Sequence, residues 1–176
     1  DSEQIFQHTL SGELMPFFSF NLNLIYQDLN GTASFVHVYR EYGEYSSDKW
    51  YNEYCTDYLL TFEQVGTVQL KLLGKEELFG CSEPYKKYKE RSREDYNKAK
   101  VSYQENKNSF INGPLNKAIR QLGSKPFWVQ SDETPQIKGI RFIGQMDSGQ
   151  FIEDGPYLFL FIDPSTNRIY QVEQFT

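Results

Sequence analysis

Two histidines, two cysteines and a group of carboxylates in turn-forming stretches are the side chains of this chain best equipped to make or break bonds. Nucleophilic or acid–base catalysis needs a nucleophile, a base and a site for developing charge, and His8 and His37 are the whole imidazole supply. His37 lies between Val36 and Val38, so in a strand it points to the face opposite theirs, and a dyad with Cys55 or Cys81 is conceivable. Two cysteines cannot complete a zinc site, and these two do not form a Cys-x-x-Cys redox pair. They read as reduced, semi-buried thiols of a cytoplasmic protein; one bridge between them is the alternative if the protein is exported. Asp132, Glu133, Asp147, Glu153 and Asp154 crowd the C-terminal turns, where a carboxylate pair does acid–base work or holds a hard cation such as Ca²⁺. Turn chemistry and solubility put acidic residues in the same places. No G-x-S-x-G turn, phosphate-cradling glycine loop, H-E-x-x-H helix or G-x-G-x-x-G fingerprint occurs. The expectation is a protein with no catalytic residue, no cofactor and no metal, and not an enzyme.

The elements that position these residues read mostly as strands. Residues 18–26 alternate, with Phe18, Phe20, Leu22, Leu24 and Tyr26 on one side, which predicts a half-buried strand. Asn30-Gly31 and the β-rich run 34–40 complete a hairpin, and 41–56 has no sustained period and reads as a loop. Residues 58–65 and 67–73, separated by Gly66, form a second pair with Val68, Leu70 and Leu72 facing one way, so the first lobe is an antiparallel meander. Residues 82–108 form a long helix with Pro84 in its first turn and a stripe of Tyr85, Tyr88, Tyr96, Ala99, Tyr103 and Phe110 expected to pack on a sheet. A second, mostly buried helix is expected over 114–122, closed by Gly123. Strand-like runs follow at 127–130, 140–146, 157–162 and 168–175. The last two should pair as a hairpin through 163–167, and 157–162, apolar on both faces, should lie centrally.

The fold class is therefore α+β, with predominantly antiparallel sheets bridged by one long basic helix and one short helix; two related β lobes are an option. The organisation read from the chain is an N-terminal β lobe over 1–81, a helical connector over 82–122 and a C-terminal β lobe over 123–176, in one compact unit. Fourteen Phe, 13 Tyr and two Trp provide an aromatic interior. The net charge of −6 disfavours whole-surface binding of nucleic acid or anionic membrane, and no apolar run is long enough to span a bilayer. Charge is segregated: residues 84–108 carry eight Lys/Arg against four Asp/Glu, so the remainder of the chain carries −10. Nucleic acid is an expected partner only through the basic helix from Lys86 to Lys107, whose acidic interruptions and i,i+4 pairs such as Glu94 with Lys98 favour a solvated face. The first residue is Asp1 rather than Met, which leaves a removed leader open.

One stretch is more specific. The run Gly123-Ser124-Lys125-Pro126-Phe127-Trp128-Val129-Gln130, then Asp132, then Phe142-Ile143-Gly144-Gln145-Met146-Asp147-Ser148, then Asp154-Gly155-Pro156-Tyr157-Leu158-Phe159, resembles the YwqG-like family of unknown function. A final strand with Gln171 or Gln174 fits the same pattern, which is also similar to the C-terminal domain of programmed cell death protein 2. Ser124 stands in place of the second glycine of the motif, and Glu153 in place of the glycine before Asp154. The resemblance implies an α+β fold with antiparallel sheets and a role in binding another protein, as immunity protein beside a toxin or as chaperone of a ribosomal protein. It brings no catalytic residues.

Trp128, Gln130, Asp132, Gln145, Asp147 and Asp154 are the candidate partner-binding residues, the last five lining one mouth of the C-terminal sheet and accepting hydrogen bonds from a partner's Arg or backbone, with Trp128 as a contact anchor. The competing structural role makes Trp128 a core ring and Gln130 and Gln145 amides that satisfy buried backbone. An acidic body complements a basic ligand, which makes a basic toxin or ribosomal protein the expected partner.

Overall fold

The computed structural model describes residues 5–6, 13–39 and 50–175, apart from the Glu76 side chain. His8, Arg40 at the end of the expected strand and residues 41–49 of the expected loop lie outside the described residues. Strands β1 (Met15–Asn21) and β2 (Thr32–His37) form a two-stranded antiparallel sheet that runs from Met15 opposite His37 to Asn21 opposite Thr32, with a shift of register between Pro16 and Phe18. The strand expected over 18–26 stops at Asn21, because the Ile25 and Tyr26 N–H groups both turn back to the Leu22 carbonyl at 2.9 Å. That turn buries Leu22 and leaves Leu24 73% exposed, so the alternation in the sequence outruns the strand.

The second sheet has six strands, all antiparallel, in the order β4-β3-β8-β7-β6-β5. Its strands are β3 (Leu59–Val65), β4 (Gln69–Leu72), β5 (Ile119–Leu122), β6 (Arg141–Asp147), β7 (Tyr157–Asp163) and β8 (Arg168–Gln174). Strands β3 and β4, expected in a meander with β1 and β2, instead join the C-terminal strands through β3–β8 pairing such as Phe62 opposite Ile169. Val68, expected in a strand on the same side as Leu70 and Leu72, lies in the β3–β4 turn and is 54% exposed. Strand β7 lies between β6 and β8, buries Leu158, Leu160 and Ile162 on one face and Phe159 and Phe161 on the other, and forms the expected hairpin with β8.

Helix α1 (Lys86–Glu105) follows a 3-10 turn at Glu83–Tyr85 that holds Pro84. Its stripe is only partly covered: Phe110 just beyond it is buried, whereas Tyr88 and Tyr103 are 46% and 37% exposed. Tyr96 reaches β1, donating to the Pro16 carbonyl at 3.1 Å and meeting Phe17 edge-on. The second helical segment starts earlier than expected, at Lys107, where Asn106 accepts from the Ser109 N–H at 3.1 Å. It runs through α2 (Lys107–Phe110), a π turn at Ile111–Leu115 and α3 (Asn116–Ala118). Residues 119–122, expected as helix, are the edge strand β5, and Gly123 at φ +69° donates its N–H to the Ile143 carbonyl instead of closing a helix.

These elements make three layers. One face of the large sheet packs Leu60, Phe62, Leu160 and Ile162 with Phe35, Val36, Phe110 and Leu115 from the small sheet and the helices. The other face carries Phe142, Phe159, Phe161, Tyr170 and Val172, covered by Trp128, Ile137 and Ile140 from the long β5–β6 connection. Each fully buried ring removes enough apolar surface to contribute about 1.5–3 kcal/mol.

Candidate functional site

The residues singled out from the sequence fall into two groups. Residues 127–130, expected as a strand, form no ladder; they lie across the sheet as a strap held by side-chain amides. Gln145, buried in β6, accepts from the Phe127 N–H at 3.0 Å and donates to the Phe127 carbonyl at 2.9 Å. Gln174 accepts from the N–H groups of Val129 and Gln130, both at 3.1 Å, and donates to the Ser131 carbonyl at 2.7 Å. Gln130 closes the arrangement by donating to the Phe175 carbonyl at 2.6 Å. Trp128 stacks on Phe159 at 4.5 Å and on Phe161 at 5.8 Å between ring centroids. An amide side chain places an N–H donor and a C=O acceptor side by side as a peptide unit does, so it can stand in for a strand that is not there.

The carboxylates are dispersed. Asp132 accepts from the Thr134 N–H at 2.9 Å, and Thr134 holds its carboxyl below the usual range. Asp147 is buried and accepts from the Arg120 guanidinium at 2.8 Å, Gln150 at 3.1 Å and the Gly149 N–H at 3.1 Å. Among the described residues no three His, Cys, Asp or Glu side chains come together as a metal site. Asp154 differs: it is exposed, sits at φ +57°, and its carboxylate has no hydrogen-bond or ion-pair partner among the described residues.

Asp154 stands at the rim of a cleft of about 360 Å³ between α1, the end of β2 and the loop before β7. The β2 end contributes His37 and Val38, and the loop contributes Ile152, Glu153 and Pro156. Helix α1 and the turn before it present Tyr85, Tyr88, Arg91, Ser92 and Asp95, which follow the spacing of one helical face. Arg91 forms a salt bridge with Glu153, and Lys98 pairs with Asp95 at 2.9 Å. The expected partner of Lys98 was Glu94; Asp95, three residues back, provides the hydrogen bond. The Lys98 ammonium also holds the Asp95 carboxyl below the ordinary carboxylate range. Three carboxylates against one guanidinium line the cleft, and Asp154 is the carboxylate left over.

Comparison with protein-family models, with curated proteins and with solved structures finds no match. What the chain does must therefore be argued from its own residues. Of the six candidate binding residues, Asp154 alone lines the cleft; Trp128, Gln145 and Asp147 are engaged inside the scaffold, and Gln130 and Asp132 in local bonds at the surface. Cys55 is buried in the core and Cys81 lines a separate hollow with Glu13, Glu77, Lys86 and Lys89, so neither cysteine lines the His37 cleft. No disulfide joins them. The sequence reading missed Ser92 and Asp95. Their polar side chains interrupt the aromatic stripe on the inward face of α1, and that interruption was the available signal.

Proposed function

We propose that this chain is a non-catalytic binding module for a basic protein, acting as an immunity protein that neutralises a basic toxin. Escort of a basic ribosomal or translation protein is the variant of the same reading. The observation that carries it is the cleft beside α1, lined by the Asp154 carboxylate, which has no partner among the described residues, and by the rings of Tyr85 and Tyr88, the latter with the Lys87 ammonium already over one face. Ring faces and a carboxylate together suit a Lys or Arg side chain. The charge of the remaining body adds long-range attraction for such a partner.

The basic helix supports the same choice over nucleic acid. Lys86, Lys89, Arg91, Arg93 and Lys98 pair with Glu83, Glu13, Glu153, Glu13 and Asp95, so contact with phosphate competes with bonds already made. No helix among the described residues is long and apolar enough to cross a membrane.

The test is capture on the immobilised protein. A basic protein retained at one-to-one stoichiometry, with association slowed about tenfold or more on going from low to high salt, is the expected result. Recovery of substoichiometric or acidic proteins alone, or association indifferent to salt, overturns it.

A second reading rests on His37, which lies on the wall of the same cleft as Asp95 and Asp154 and so places an imidazole near carboxylates in a partly closed site. It predicts turnover in a hydrolase substrate screen that His37→Gln abolishes; turnover indifferent to that change removes it.

A further inference from the structure

We infer that the cleft beside α1 takes a short partner segment in which an apolar side chain adjoins a Lys or Arg, the apolar group entering the floor and the cation meeting Asp154 at the rim. The inference rests on the binding reading above and names the epitope which that reading leaves open. Floor and rim differ in chemistry. The floor is formed by Val38 and Ile152, 2% and 1% exposed, with Pro156 also buried. The rim is formed by Tyr88, Arg91, Glu153 and Asp154, all exposed. At about 360 Å³ the cleft is at the lower end of the range for small-ligand pockets, which suits one or two side chains rather than a folded surface.

The rim selects the charge. Arg91 already neutralises Glu153 and Lys98 already neutralises Asp95, so a guest meets one unanswered charge, that of Asp154. The loop that presents it is tied down: the Ser148 hydroxyl donates to the Pro156 carbonyl at 2.6 Å and the Gly155 N–H to the Ile152 carbonyl at 3.0 Å. A Cβ on Gly155 would lie 2.7 Å from the Ser148 oxygen, so the turn is closed tightly around a glycine. A carboxylate fixed before binding loses little freedom when a cation arrives. A purely apolar segment would bury Asp154 unpaired, and an acidic one would be repelled, so the rim discriminates as well as attracts.

Fluorescence anisotropy with labelled hexapeptides on the whole protein tests this, the central residues being Phe-Lys, Lys-Phe, Phe-Glu or Ser-Lys in a Gly/Ser background. One of the first two should bind about tenfold or more tighter than Phe-Glu and Ser-Lys, roughly the value of one formed ion pair or one buried side chain. Asp154→Asn removes the charge with a residue that tolerates the left-handed backbone, and should bring the better peptide down to the level of its norleucine analogue. Ser92→Phe fills the cleft from α1 and should abolish binding. Equal binding of all four peptides, or binding that both variants leave unchanged, overturns the inference. If the variants still capture a basic protein at full stoichiometry while no peptide binds, the epitope is wrong and the binding reading stands; if the wild type captures no basic protein, the reading itself fails.

Discussion

Gln171 offers the most direct test of how this fold is held together. It is fully buried in β8, accepts from the Val36 N–H at 2.9 Å, and donates to the Val36 carbonyl at 2.6 Å and to Glu173 at 3.0 Å. Val36 is itself fully buried, so the outer edge of β2 is satisfied at this point by a side-chain amide and not by a third strand. Gln171→Leu keeps most of the volume and deletes both partners of Val36. Each of the two buried backbone groups left unsatisfied costs about 1–3 kcal/mol, and the apolar burial gained by leucine offsets about 1, for a net loss of about 1–5 kcal/mol. Against a total stability of about 5–15 kcal/mol that is a large fraction. With a urea dependence of about 2 kcal/mol per molar, the unfolding midpoint should fall by about 0.5–2.5 M. Gln130→Leu is the control: its side chain is exposed and makes one bond to Phe175, so its midpoint should move by less than about 0.3 M. If Gln171→Leu moves the midpoint as little as the control, the amide does not join the two sheets, and the reasoning fails.

Two further outcomes follow from burial. Burial pushes the Tyr96 phenol up to about 12, whereas an unfolded tyrosine ionises near 10. The folded state thus keeps a proton that the unfolded state releases, and wild-type stability should drop by about 1.4 kcal/mol between neutral pH and pH 11 on this account. Tyr96→Phe loses one hydrogen bond to Pro16, about 1 kcal/mol at pH 7, and is spared the alkaline loss, so urea midpoints of the two proteins should converge by pH 11. Gly144→Ala places a Cβ 2.7 Å from Leu122 and 3.0 Å from the Gln121 carbonyl, and should lower stability by about 1–3 kcal/mol. Leu122 is 41% exposed, so adding Leu122→Ala should restore part of that loss in a thermal melt.

The parts of the fold legible in the sequence are those where one local pattern meets one environment. Strand β7 is apolar at every position but its last, which only a strand covered on both faces requires, and the acidic and hydroxyl residues of 163–167 announce the turn into β8. Helix α1 is dominated by the strong helix formers Lys, Arg and Glu and holds no Gly or Pro. Residues 114–122 misled because Leu115, Ala118, Ile119 and Leu122 fit a helical face, while the edge of β6 offers 119–122 a ladder that no local pattern reveals. The strap at 127–130 has strand composition but finds side-chain amides, not a neighbouring backbone. The cleft was illegible for a similar reason. Its walls come from β2, α1 and the loop before β7, and only the packing of those elements gives Ser92, Asp95 and Asp154 a common space.

The same reasoning decides which acidic residues are open to a partner. Asp132 is taken by Thr134, Asp147 by Arg120, and Asp163 by Ser165 and Thr166 at 2.7 Å each, so these carboxylates stabilise their own turns. A partner that tried to use them would first have to break these charge-assisted bonds. Sequence counts all of them equally toward an acidic surface; the hydrogen bonds do not. A carboxylate acts at short range on a second molecule only where the fold leaves it without a local donor, and Asp154 meets that condition beside a hollow with an apolar floor. On the proposed binding reading, total charge would set how fast a basic partner arrives and the cleft with Asp154 would set which partner stays, and salt should weaken the first effect far more than the second.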